Sequence, residues 1–191
     1  MLRFRRFFTC FTGIGNPEPK YAGTRHNVGL IFLDLLKNRF DPQQLHPYKT
    51  SSIVPAKYCQ PSLKLVMIKS DGNYMNLSGK TVVPMWNRLP HPHHVTHVVI
   101  HDELSLPLGK VQLRKPGTSL RGHNGLKSIQ SCWKNDNFYR LSVGIGRPLQ
   151  RDSTVVSNYV LSKFDDQELE ILRTNSLKTA WERIGHLVSK N

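Results

Sequence analysis

The sequence predicts a single α/β domain, residues 1–191, with a mixed, largely parallel central sheet flanked by helices. Three observations carry this expectation. Short β-branched and aromatic runs alternate with stretches of helical apolar spacing. The runs at 95–101 and 138–145 are mostly apolar, as strands buried within a sheet are. A chain of 191 residues fills one core and is short for two, and no repeat, low-complexity tract or linker divides it.

Taken in order, residues 7–14 form a β-rich run that stops at the G-N-P turn. From Val28 the positions Val28, Ile31, Phe32, Leu35 and Leu36 fall on one helical face, with Thr24 as the expected N-cap. Residues 41–62 contain Pro42, Pro47, Pro55 and Pro61 and read as a connector holding one edge strand. Residues 63–69 are a short apolar strand. Ser78 opens a weaker helix bearing Val82, Trp86 and Leu89, with Pro84 arguing against continuity. Strands are expected at 95–101, 111–115 and 138–145. Between the last two, Leu126, Ile129 and Trp133 mark a helix over Asn124–Trp133. After Asp165 one amphipathic helix carries Leu169, Leu172, Ala180, Ile184 and Leu187, started by acidic residues.

Charge is the compositional outlier: 27 Lys and Arg against 13 Asp and Glu leave a net +14 with no single polybasic block. A folded surface so charged attracts polyanions, nucleic acid above all. Cys10, Cys59 and Cys132 are odd in number, scattered and without metal or redox spacing, which suits a reducing compartment. No apolar run is long enough to span a bilayer. The N-terminus, M-L-R-F-R-R-F-F-T, is basic and has no acid before Glu18, the character of an organelle import signal, yet it runs straight into a strand. The H-D-E-L at 101–104 is internal and is not a retention signal.

G-I-G-N-P-E at 13–18 fails as a dinucleotide fingerprint, because Glu18 stands in place of the third glycine and Pro17 and Pro19 oppose a helix start. Serine-hydrolase, P-loop and zincin motifs do not occur. His91, His93, His94, His97 and His101 lie in a strand-like context with no clustered carboxylate or thiolate, so incidental imidazoles in a solvated loop are expected rather than a metal site. Four polar stretches remain, at 15–29, 73–80, 101–109 and 121–127, each after a strand or opening a helix. In an open α/β sheet such junctions gather at the carboxyl edge. They bring amides and titratable groups: Asn16, His26, Asn76, Asp102, His123 and Asn124.

Those stretches read G-N-P-E-P-K-Y-A-G-T-R-H-N-V-G, N-Y-M-N-L-S-G-K, H-D-E-L-S-L-P-L-G and R-G-H-N-G-L-K. They resemble the signature segments of the bacterial-type peptidyl-tRNA hydrolase family, over about residues 8–181, and point to a eukaryotic, mitochondrial or otherwise cytosolic, member. The resemblance implies hydrolysis of the ester joining a peptide to the 3′-terminal ribose of tRNA, by a monomer needing no cofactor or metal. It matches His26 to the family's catalytic histidine and Asp102 to its acidic partner. It matches Asn16, Asn76 and Asn124 to substrate-holding asparagines and Tyr21 and Tyr74 to positions lining the site, with His123 beside Asn124 in the helix-opening motif.

The implied chemistry is sound on its own terms. With no serine or cysteine motif, water is the nucleophile and His26 the general base. A nearby helix N-terminus would keep His26 neutral, Asp102 would fix its tautomer, and asparagine amides would face the oxyanion. Lys110, Arg114, Lys115, Arg121, Lys127, Arg140 and Arg147 surround the last two motifs and are expected to meet phosphates of the acceptor stem, by backbone and shape. This sequence departs from the family at Thr118, Ser119 and Leu120, in a run usually glycine-rich. It departs again at Ser105, at Glu18, and at Ser142, where some relatives carry a phosphate-binding arginine. The rival reading is a non-catalytic RNA-binding protein of the intron-splicing type on the same scaffold. Against it stands the complete polar set Asn16, His26, Asn76, Asp102 and Asn124.

Overall fold

The structure, a computed structural model, describes residues 8–150 and 152–189. The basic N-terminal segment therefore lies outside the described residues, as does Phe7 of the first expected strand.

Strand β1 (Phe8–Ile14) leads through a 3₁₀ turn (Arg25–Asn27) into α1 (Val28–Phe40). Next come β2 (Lys49–Thr50), β3 (Lys57–Ser62) and β4 (Leu65–Ser70), then a 3₁₀ turn (Met75–Leu77) that opens α2 (Ser78–Trp86). Strand β5 (Val95–Glu103), β6 (Val111–Arg114), α3 (Asn124–Trp133) and β7 (Tyr139–Gly144) follow. The chain continues with α4 (Ser153–Leu161), α5 (Asp166–Ile171), a π turn (Leu172–Ser176) and α6 (Leu177–Ser189). The seven strands form one sheet in the order β2-β3-β4-β1-β5-β7-β6. Its central four strands are parallel and both flanks antiparallel. This is the mixed, largely parallel α/β architecture expected.

Because side chains alternate across a strand, each sheet face has its own core. Phe11, Met67, Val98, Ile100 and Leu141 pack with Val28, Phe32, Leu36, Ala180 and Ile184 of α1 and α6. Cys10, Ile68 and Val99 pack with Val82, Trp86, Leu126 and Ile129 of α2 and α3 on the other face.

Several expectations are corrected. Thr24 does not cap α1: its hydroxyl donates to the Tyr21 carbonyl, and the first turn is 3₁₀, so the α-helix begins only at Val28. The 41–62 connector holds two strands, not one. Leu63 is 81% exposed, outside β4. Helix α2 runs through Pro84, which shares a partly open face with exposed Lys80, the residue whose carbonyl the proline leaves without a donor. Asp165 and Glu168 do form a capping box, but the expected single helix is divided by the π turn. Helix α4 was not expected at all: S-T-V-V-S-N-Y-V-L has poor helical propensity and buries none of its residues, so neither composition nor periodicity marks it. His97 and His101 are buried in β5 rather than solvated; His97 stacks on Trp86 at 4.0 Å.

Helix α1 meets the sheet backbone to backbone. A Cβ at Gly29 would lie 2.4 Å from the Ile100 carbonyl oxygen and 2.6 Å from that of Ile14, and one at Gly13 would lie 2.5 Å from the Gly29 oxygen. Glycine is required here by distance rather than by dihedral angle. Gly29→Ala must push the helix off the sheet, and denaturant unfolding is expected to show a loss of about 1–3 kcal/mol.

Candidate active site

The polar stretches converge at the carboxyl ends of β1 and β5. Asp102, the penultimate residue of β5, is buried, and its Oδ1 lies 2.9 Å from His26 Nδ1 and 2.9 Å from His123 Nε2. His123 caps α3, its Nδ1 accepting from the Leu126 amide at 3.3 Å, so the proton sits on Nε2 and is donated to Asp102. His26 likewise donates from Nδ1. Its Nε2 makes no hydrogen bond among the described residues, leaving a lone pair on a side chain 20% exposed.

Electrostatics follow from this arrangement. Burial by itself would depress the His26 pKa, but the charge of Asp102 and the bond to it prevail and hold it above the ordinary 6.5. This differs from the expectation that a helix end keeps His26 neutral; the carboxylate in contact outweighs a dipole that a single 3₁₀ turn supplies only weakly. Burial would raise the Asp102 carboxyl, yet the two imidazoles hold it well below the usual range.

A second layer fixes the first. His101 donates from Nδ1 to the Asp102 carbonyl at 2.7 Å and accepts from the Ser142 hydroxyl at 2.9 Å, and burial pulls its pKa down to about 3, so it stays neutral. Asn27 is fully buried and grips Asn16 at both ends of its peptide unit: Oδ1 accepts from the Asn16 amide at 2.7 Å, and Nδ2 donates to its carbonyl at 3.1 Å. The Asn16 side-chain oxygen in turn accepts from the Met75 amide at 2.9 Å, anchoring the turn that carries Asn76. Met75 Sδ lies 2.6 Å from where a Gly125 Cβ would be, so that turn abuts the start of α3. Arg25 clamps the His26 turn to the C-terminal region. Its guanidinium binds both Glu168 oxygens at 2.8 and 2.9 Å and Ser162 at 3.1 Å, between the rings of Tyr159 and Phe164.

The family model described as Peptidyl-tRNA hydrolase matches residues 10–191. The chain belongs to the peptidyl-tRNA hydrolase family. It is 46% identical over 187 residues to the peptidyl-tRNA hydrolase of Saccharomyces cerevisiae, covering 93% of this chain and 95% of that one. It is 39% identical over 190 residues to that of a Sulfurihydrogenibium species, covering 94% and 96%. The crystal structure of peptidyl-tRNA hydrolase from Acinetobacter baumannii superposes with a TM-score of 0.75 at 26% identity, over 96% of this chain and 91% of the other.

Within this peptidyl-tRNA hydrolase fold, His26, Asp102 and His123 form one hydrogen-bonded network, and Asn16 is tied through Asn27 to the turn that carries His26. Asn76 and Asn124 are exposed on adjoining turns, and Tyr21 meets the half-exposed Tyr74 edge to face at 6.1 Å. Lys110, Lys115, Arg121, Lys127 and Arg147 are exposed and Arg114 is partly so. Arg140 is corrected: it is only 2% exposed and its guanidinium is turned onto the loop at Thr118 and Ser119, so it does not stand where a phosphate would lie. Arg25, Asn27, His101 and Ser142 were missed as site residues. Arg25 and Asn27 flank His26 in sequence, but their partners are 143 and 11 residues away, which spacing does not reveal. His26, Asp102 and His123 are also the one group of side chains, among the described residues, whose atoms lie within 4.8 Å as three cation ligands require. Both nitrogens there already donate to the carboxylate, so a cation would have to displace two protons.

Asn27→Ala would strand the buried amide and carbonyl of Asn16. Chemical denaturation is expected to register a loss of about 1–3 kcal/mol, whereas Asn124→Ala at an exposed position should stay within about 0.5 kcal/mol.

Proposed function

We propose that this chain hydrolyses the ester bond of peptidyl-tRNA, releasing tRNA and peptide, with His26 as general base and Asp102 as its orienting partner. One observation carries the reading: the 2.9 Å bond from His26 Nδ1 to buried Asp102 leaves Nε2 with a lone pair at a site edged by side-chain amides. Water bound to Nε2 loses its proton as it attacks the ester carbonyl, and the imidazolium formed is stabilised by Asp102. That proton is then available to the departing ribose oxygen. The Asn16 side-chain oxygen accepts from the Met75 amide, which turns its NH₂ away from Met75; that NH₂ makes no hydrogen bond among the described residues and is a donor for the peptide or the oxyanion. Asn76 and Asn124 supply further donors from their exposed turns. Lys110, Lys115, Arg121 and Lys127 form a basic surface beside the site that suits an RNA backbone.

In a deacylation assay on N-blocked aminoacyl-tRNA, His26→Ala is expected to lose about 10²–10⁴-fold in turnover; release unchanged in that variant would refute the proton-transfer role. Because the base form is required and Asp102 raises the His26 pKa, kcat/KM should climb with pH through an ionisation above 6.5. In Asp102→Asn the raising influence is gone and burial remains, so the midpoint of that rise should shift to lower pH, with a slower plateau. Lys115→Ala should raise KM for the tRNA substrate, with steeper weakening in salt for the wild type, and leave a minimal ester substrate unaffected.

A further inference from the structure

Arg140 is a buried cation whose side-chain hydrogen bonds all go to one loop. It sits on β7 opposite Val99 of β5 and Arg114 of β6, and Glu103 and Asp136 act on it electrostatically without bonding to it. Burial, with Arg114 adding to it, makes its charged form unfavourable. What it gains is a fork of backbone contacts. Nη1 donates to the Ser119 carbonyl at 2.7 Å, and Nη2 donates to the Thr118 carbonyl at 2.9 Å and to the Thr118 hydroxyl oxygen. That hydroxyl in turn donates to the Lys115 carbonyl at 2.8 Å.

Apart from Leu120, which packs partly buried against the core on the α2 and α3 face, the loop so held has little else to hold it. Gly117, Arg121 and Gly122 all have left-handed backbone, with φ of 76°, 50° and 81°, and Arg121 adopts it without being glycine. A Cβ built at Gly117 or Gly122 meets nothing within 4 Å, so the chain there stands clear of the body and is not kept in place by packing. A further tether, from Arg121 to Ser105 at 2.9 Å, is exposed to solvent. Yet the residue that follows is His123, whose ring must reach Asp102, and its amide is bonded back to Leu120.

We propose that Arg140 is a positioning residue, which holds loop 115–122 in the conformation that delivers His123 and Asn124 to Asp102 and presents Lys115 and Arg121 beside them. The kinetic consequence rests on the peptidyl-tRNA reading above; the structural one does not. Without the guanidinium fork, substrate must order the loop as it binds, so the loss falls on KM more than on kcat.

The test compares Arg140→Met and Arg140→Lys with the wild type by amide hydrogen exchange and by deacylation kinetics. In Arg140→Met, amides 118–123 should exchange at least about tenfold faster while those of β1 keep their protection. KM for N-blocked aminoacyl-tRNA should rise about tenfold with kcat changed far less. Arg140→Lys, a point charge without the planar fork, should fall between. A lower melting temperature with loop exchange and KM both unchanged would overturn the proposal, reducing Arg140 to a filler of the core. Should Arg140→Met fail to fold, wild-type exchange and KM in Arg140→Lys would overturn it equally. Exchange that responds in a wild-type protein unable to release tRNA would sink the hydrolase reading and leave the positioning role standing.

Discussion

One carboxylate oxygen organises this molecule. Asp102 Oδ1 accepts from two imidazoles that arrive from opposite sides of the sheet: His26 from the turn before α1, His123 from the cap of α3. Helix α1 belongs to one core and α3 to the other. The site is therefore a seam between two layers that otherwise pack independently, and its geometry depends on both. An ionised carboxylate buried at the end of a strand is costly unless its oxygens are hydrogen-bonded. Two imidazole donors on Oδ1 offset much of that cost, and the raised His26 pKa is the other side of the same interaction.

The surrounding contacts make sense as devices that keep the seam closed. Gly29 and Gly13 let α1 lie directly on strand backbone, which sets the height of the His26 turn. Asn27 locks that turn to Asn16, and Asn16 passes the constraint to Met75. On the opposite side Gly79 brings α2 onto α3, its amide donating to Ser128 at 3.0 Å. His101 and Ser142 hold the strand beneath Asp102. Preorganisation of this kind limits the rearrangement that a reaction must drive.

Much of this was legible in the sequence, and the gaps have physical causes. The central strands and α1, α3 and α6 were readable because burial on a defined face leaves a period in the apolar residues, as at Leu126, Ile129 and Trp133. Helix α4 was not, since its residues are β-branched or polar and none is buried. The polar motifs signalled His26, Asp102, Asn16 and His123 together, but not that His123 would share an oxygen with His26. That depends on where two separate layers bring the chain. Arg140 was misassigned because positive charge near basic loops reads as surface; only the strand register, which sets it opposite Arg114 beneath the 118–119 loop, shows it is interior. His97 and His101 deceived in the same way, as polar residues inside an apolar strand.

The clasp between Arg25 and Glu168 joins residues 143 positions apart. Synthesis makes the His26 turn long before the carboxylate that steadies it, so that turn gains its clasp only after all seven strands of the sheet have been made.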